Sequence, residues 1–223
     1  MASSNQKSRL PWVPWAVVGS ALAVILGLGF TAGNLLQNYD ESIGFDKEAD
    51  RIAEILQLEP GMSAGDVRAG TGKWSIDMAR RIGDGMVYAT VGPDPPSVIY
   101  QTVADSEVDN VTVIVRTPGN APRLPLECCD ATLVRFVYRH FENREERLAP
   151  NLWRTSRPGG RLAIIDWQAG SPARNFVPKE TVIQEITTHG FELELAIDDW
   201  APDVYCLVFR KPEGSANSTA DAR

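Results

Sequence analysis

Ser63-Ala64-Gly65-Asp66-Val67-Arg68-Ala69-Gly70-Thr71-Gly72 decides the fold. It reads as a short strand around 64–67, a glycine-rich turn, and then a helix from about Lys73 to Ile82. Glycine tolerates left-handed backbone and lets another chain or a ligand approach closely, so such a turn fits the junction of a strand and a helix. A lone glycine-rich turn is weak evidence, and its flanks carry the rest. Upstream, Asp46 to Leu58 is a helical stretch with Ile52, Ile55 and Leu56 on one face, stopped by Pro60-Gly61. Downstream come a strand at 86–91, a helix opened by Pro95-Pro96 and running to about Ala104, and strands at 111–115 and 131–137. A helix at 143–156 carries Pro150 as a kink. Pro158-Gly159-Gly160 turns the chain into a strand at 162–167, a helix spans 178–189, and 191–197 with 205–210 form a final antiparallel pair. Strands alternating with helices predict an α/β, doubly wound, Rossmann-like sheet covered on both faces. A ligand belongs at the carboxyl ends of its strands, at the topological switch point.

Five segments in order carry a closer likeness: Leu58-Glu59-Pro60-Gly61, the turn Asp66 to Gly72, Leu124-Pro125 before Asp130, Arg139-His140-Phe141, and Arg157-Pro158-Gly159-Gly160-Arg161-Leu162. Together they resemble the class I S-adenosylmethionine-dependent methyltransferases over residues from about 50 to 212. The resemblance implies seven strands, the last antiparallel. It also implies a cofactor held by the glycine-rich turn, by a carboxylate after the second strand on the ribose, and by an acidic residue after the third strand on adenine. Carried over, the cofactor residues are Asp66, Gly70, Gly72, Asp94 and Asn120. The chain departs from the pattern at each point. Arg68 stands where the first glycine belongs, and Val91 where the ribose carboxylate belongs; Asp94 serves only if the loop is reshaped. Asn120 replaces the adenine-side acid but can still accept a hydrogen bond. The first strand is also poor in apolar residues, with Ser63-Ala64-Gly65 in place of the usual run.

Arg135, Arg139 and His140 fall near the carboxyl end of the fourth strand, where the family's substrate pocket opens. His140 is the one candidate base. The arginines either hold an anionic substrate or pair with acids such as Glu142, Glu145 or Glu146. No nucleophile triad, metal cluster or P-loop is legible. Cys128, Cys129 and Cys206 give no disulfide framework or zinc spacing; three partly buried thiols, or a single bridge to Cys206, stay open. The net charge is −7, from 22 Lys and Arg against 29 Asp and Glu. Lys7 and Arg9 are the only charges before residue 37, so the remainder carries −9, which disfavours nucleic acid.

Ahead of the domain, residues 15–36 contain no charged side chain. At 1.5 Å per residue they reach roughly 33 Å, the span of a hydrocarbon core. Trp12 and Trp15 at one end and Tyr39 at the other suit the interfaces. The organisation expected is a tail at 1–14, a transmembrane helix at 15–36, a linker at 37–45, a methyltransferase-like domain at 46–212 and a flexible tail at 213–223. A cleaved signal peptide is the rival reading, disfavoured by the length of the stretch and the lack of an A-x-A site. Lys7 and Arg9 face Lys47 and Arg51 across the span; the α-amino group and the closeness of Lys7 and Arg9 tip the N-terminus inward. That places the domain outside the inner membrane of a single-pass protein. Gly19, Ala23, Gly27 and Thr31 form a small-residue face on which another membrane helix can pack.

Two functions follow as expectations. One is a non-catalytic accessory subunit of a bacterial membrane complex, with a respiratory or photosynthetic assembly as a natural host, and no cofactor. The other is a methyltransferase acting on a small or lipid-like substrate at the membrane, with S-adenosylmethionine bound if the site is intact.

Overall fold

A computed structural model describes residues 44–92, 97–115, 122–168 and 176–215. The expected membrane span, its face Gly19, Ala23, Gly27 and Thr31, and the site candidates Asp94 and Asn120 lie outside the described residues. Among the described residues no helix is long and apolar enough to cross a membrane.

The elements run α1 (Phe45–Leu56), β1 (Ala64–Asp66), α2 (Lys73–Ile82), β2 (Val87–Val91), α3 (Ser97–Asp105), β3 (Val111–Val115), β4 (Cys129–Arg135), α4 (Ala149–Thr155), β5 (Ser156–Trp167), α5 (Lys179–Thr187), β6 (Glu192–Ala201) and β7 (Val204–Arg210). They build a seven-stranded sheet in the order β3-β2-β1-β4-β5-β7-β6. Strands β1 to β5 pair in parallel, and β7 runs antiparallel to both β5 and β6. This is the doubly wound sheet expected, with the order reversing between β1 and β4, where a ligand crevice opens.

Helices cover both faces. Ile52 and Leu56 of α1 and Met78 and Ile82 of α2 pack on Val87, Leu133, Ile165 and Val208 on one face. Leu148, Leu152, Val182 and Ile186 pack on Val134, Ile164, Leu207 and Phe209 on the other. The apolar-poor β1 forms nonetheless, all three residues buried. It is the central strand, and its small side chains are a requirement of packing. A Cβ on Gly65 would stand 3.0 Å from Leu124 Cδ1 and 3.3 Å from Cys129 Sγ.

Two local expectations are corrected. The kinked helix at 143–156 is a wide π-type turn over Arg144–Leu148 that hands over to α4, with Pro150 in the first turn of α4. Proline has no N–H to donate, so it is tolerated where a helix starts afresh. The strand placed at 162–167 begins at Ser156, because Gly159 N–H donates to Lys211 O (2.8 Å) and Lys211 N–H to Gly160 O (2.9 Å), extending the ladder beyond the glycines. The cysteines also resolve: Cys128 and Cys129 are bonded to each other, and Cys206 is a buried free thiol. Burial pushes the Cys206 thiol up to about 12, so it stays protonated.

Candidate cofactor site

The carboxyl ends of β1, β2 and β4, with the first turns of α1 and α2, form the crevice. Its floor is the glycine-rich turn. Arg68 has φ of +59°, Gly70 of +58° and Gly72 of +87°. The backbone therefore keeps the left-handed shape a glycine would take at position 68, although an arginine occupies it. That conformation costs a non-glycine residue roughly 1–2 kcal/mol. It is held by β2: Arg68 N–H donates to Thr90 Oγ1 (2.9 Å) and Ala69 N–H to Thr90 O (2.8 Å). The Arg68 guanidinium then reaches across the crevice, its central carbon 5.7 Å from the centre of the Phe141 ring beyond β4.

Gly72 is needed for a second reason. A Cβ there would come within 2.7 Å of Ile99 Cγ1 on α3. Ile99 also packs with Ala69, Ala89 and Val91, closing an apolar cluster at the end of β2. Val91, where the resemblance puts the ribose carboxylate, is buried in that cluster. Gly70 is exposed with open space beside it.

Asp66 ends β1 with its carboxylate turned inward, and Ser75 Oγ donates to its Oδ2 at 2.6 Å. Burial pushes its pKa up to about 6, opposed by the Ser75 hydrogen bond and by the charge of Arg135. The sign of the linkage follows. The folded state binds more protons than the unfolded chain between about pH 4 and 6, so stability falls as pH rises through that window. Raising the pKa from its ordinary value to about 6 corresponds to a loss on the order of 3 kcal/mol, complete by about pH 7. Asp66→Asn keeps an acceptor for Ser75 and removes the titration. Its melting temperature, measured against the parent by calorimetry, is expected to gain from pH 4.5 to about 7 and then level off; a constant difference would refute the assignment.

Arg135, which ends β4, and Arg139, in the short turn after it, take partners remote from the 142–146 segment. Arg135 pairs with Glu48 of α1, Nη2 to Oε2 2.8 Å and Nε to Oε1 3.1 Å, and Trp200 Nε1 donates to the same carboxylate at 3.1 Å. The guanidinium also lies over Trp74 and Phe136, 4.4 and 4.5 Å from their ring centres. Arg139 pairs with the buried Asp166 at 2.6 Å. Strand ends point at the elements packed beside them, here α1 and β5, which is why the partners are remote in sequence. His140 is exposed at the rim. Partial burial of its ring, then the positive charges of Arg139 and Arg68, lower its pKa, against the opposing pull of Asp166.

Glu48, Trp74 and Asp166 escaped the sequence reading. Glu48 carried a signal, a carboxylate four residues before Ile52 on the apolar face of its helix; so did Asp166, inside the apolar run Leu162 to Trp167. Among the described residues no group of three or more His, Cys, Asp or Glu side chains is placed to hold a metal ion.

The sheet order, the antiparallel β7 and the glycine-rich crossover from β1 to α2 define a methyltransferase-like chain, with the fold of the class I S-adenosylmethionine-dependent methyltransferases. A SAM-dependent methyltransferase from Aquifex aeolicus superposes with a TM-score of 0.65 at 20% identity, over 73% of this chain and 88% of that one. A phosphoethanolamine N-methyltransferase 2 from Haemonchus contortus gives 0.63 at 13% identity, over 78% and 56%. The [4+2]-cyclase SpnF gives 0.64 at 16% identity, over 76% and 81%, so the same fold also carries a cyclase. In sequence, the demethylmenaquinone methyltransferases of Listeria monocytogenes serotype 4a and Listeria welshimeri serovar 6b are each 31% identical over 117 residues, 51% of this chain and 48% of theirs. The chain thus spans about half the length of the curated relatives it matches. No protein-family model matches it.

Proposed function

We propose that the chain is a membrane-anchored accessory subunit whose methyltransferase fold has lost productive S-adenosylmethionine binding and serves as a scaffold in a bacterial membrane complex. The observation that carries this reading is Arg68. Its backbone is fixed on Thr90 in a glycine's conformation while its side chain crosses the crevice toward Phe141. The apolar surroundings of Val91 support it, since they offer no ionic acceptor to a ribose. On this reading Arg68 and Val91 do not fit the cofactor. The Cys128–Cys129 disulfide supports placing the domain outside the cytoplasm, because such bonds persist in oxidising compartments.

The small face Gly19, Ala23 and Gly27 is then the contact with a partner's membrane helix. Gly19→Leu and Gly27→Leu add bulk where backbones must approach, and both are expected to abolish co-purification of the partner from detergent extracts. Unchanged co-purification with both variants rejects the interface.

A second reading has one observation in its favour, the 31% identity to demethylmenaquinone methyltransferases over half the chain. In it the chain methylates a lipid-like substrate at the membrane. It requires the domain to face the cytoplasm, where S-adenosylmethionine is made, and Arg68 to swing aside. C-terminal alkaline phosphatase and green fluorescent protein fusions separate the two readings. Phosphatase activity alone supports the scaffold, and fluorescence alone supports the enzyme.

A further inference from the structure

Helix α1 packs over β4 and β5, and the edge strand β6 lies beyond them, across β7. Between α1 and β6 runs a groove of about 510 Å³, the size of a small-molecule site. Its lining comes from α1 and the residue that caps it, from β5 and from β6. It is separate from the crevice between β1 and β4.

One end of the groove is cationic. The Arg51 guanidinium sits over the Trp200 ring, its central carbon 3.8 Å from the ring centre, and Nη1 donates to Trp200 O at 2.6 Å. Trp200 is buried and held in turn by its Nε1 hydrogen bond to Glu48 (3.1 Å). Ring and carbonyl together fix the guanidinium. Among the described residues no carboxylate pairs with it, whereas Arg135, Arg139 and Arg161 each have one. A guanidinium has five N–H donors, and one bond to a carbonyl leaves most of them open. Charges withdrawn from water are ordinarily paired, so the half-buried Arg51 offers a place to an anion.

The middle of the groove is apolar. Ile55 and Ile197 are half-buried there, and Leu195 is 43% exposed. The far end is closed by Arg161 and Glu194, which satisfy each other through two hydrogen bonds of 2.9 and 2.8 Å. From the level of Arg161 to that of Trp167, where the register places Ala201 next to Trp200, the sheet rises about 20 Å.

We propose that this groove binds a carboxylic acid with a single medium-length acyl chain, its carboxylate on Arg51 and its chain along Ile55, Leu195 and Ile197. One unpaired guanidinium selects one negative charge, and the exposed Glu54 and Glu194 on the walls repel a second. The open donors of a fixed guanidinium match the planar, two-oxygen carboxylate. The apolar stretch beyond gains from covering an alkyl chain and offers little to a polar one. An extended peptide fits less well. Register shifts interrupt β6 between Leu193 and Leu195 and between Ile197 and Ala201, which breaks the ladder that strand addition needs.

The test uses the full chain in dodecyl maltoside micelles with decanoic acid carrying a diazirine in its chain. The corresponding alcohol, which enters the micelles at least as well but bears no charge, is the control. After irradiation the attachment sites are mapped by mass spectrometry. At equal, subsaturating concentration the acid is expected to attach within 51–57 and 192–200 about tenfold more than the alcohol. Arg51→Gln is expected to bring the acid down to the level of the alcohol. Leu195→Glu, a change at an exposed position, sets a further negative charge beside the chain and is expected to lower attachment of the acid about fivefold or more. Equal attachment of acid and alcohol, attachment of the acid elsewhere in the chain, or undiminished attachment in Arg51→Gln overturns the proposal. Melting curves accompany both variants. If Arg51→Gln does not fold, Leu195→Glu decides, and undiminished attachment there overturns the site. S-adenosylmethionine takes no part in the measurement, so its outcome is separate from that of the scaffold reading.

Discussion

Calorimetric titration of the full chain in detergent micelles with S-adenosylmethionine is expected to give no binding tighter than about 1 mM. The ribose of the cofactor expects two hydrogen bonds to a carboxylate, each contributing about 1.5–3 kcal/mol. Val91 supplies neither and sits in an apolar cluster with Ala69 and Ile99. That loss alone weakens binding by roughly 10²-fold or more. On the scaffold reading the Arg68 side chain, whose guanidinium lies 5.7 Å from the centre of the Phe141 ring, adds bulk and a positive charge against a sulfonium cation. Arg68→Gly removes the obstruction and relieves a φ of +59° that glycine takes freely. Val91→Glu restores the acceptor, at some cost in stability for a carboxylate placed at a buried position. The double variant is expected to bind roughly 10²-fold more tightly than the parent. A low micromolar dissociation constant for the parent would overturn the scaffold reading. Failure of the double variant to bind would move the obstruction to Ile99, which closes on Gly72.

Glu48→Ala is expected to cost about 3–5 kcal/mol of stability, because it removes the carboxylate bound by the Arg135 guanidinium, which is only 12% exposed. For a domain of this size that lowers the melting temperature by about 6–20 °C. It also removes the acceptor of Trp200 Nε1. Glu48→Gln keeps the shape and one acceptor and loses less. Replacing both partners, Glu48→Met with Arg135→Met, recovers most of the loss, since a buried pair contributes little net over apolar packing. The three melting curves together check the network. Equal melting temperatures for Glu48→Ala and the parent would show that α1 does not depend on it. Glu48 pins α1 to the end of β4.

How much of this was legible in the sequence varies by element. Helix α2 falls where its limits were read, Lys73 to Ile82, and the strand at 111–115 likewise, because apolar periodicity and flanking turn residues are local signals. The fold class followed from the order of such signals, and so did the positions of Arg68 and Val91 on the glycine-rich pattern. Strand β1 was read at 64–67 but looked poor in apolar residues. Only the packed sheet shows that Leu124 and Cys129 press on Gly65 and leave no room for anything larger. The same holds for charge. Sequence proximity offered Arg135 and Arg139 the acids at 142–146, but the sheet hands them Glu48 and Asp166, 87 and 27 residues away. A side chain's partner is set by which elements pack together, and packing is a property of the whole chain. The sequence by itself determined the α/β class, the uncharged stretch at 15–36 and the presence of Arg68 and Val91 in and near the glycine-rich turn. Tertiary structure alone decided that Arg68 keeps a glycine's backbone while its guanidinium lies toward Phe141, that Asp66 turns inward to Ser75, and that α1 starts against the first turn of α2 at the mouth of the sheet.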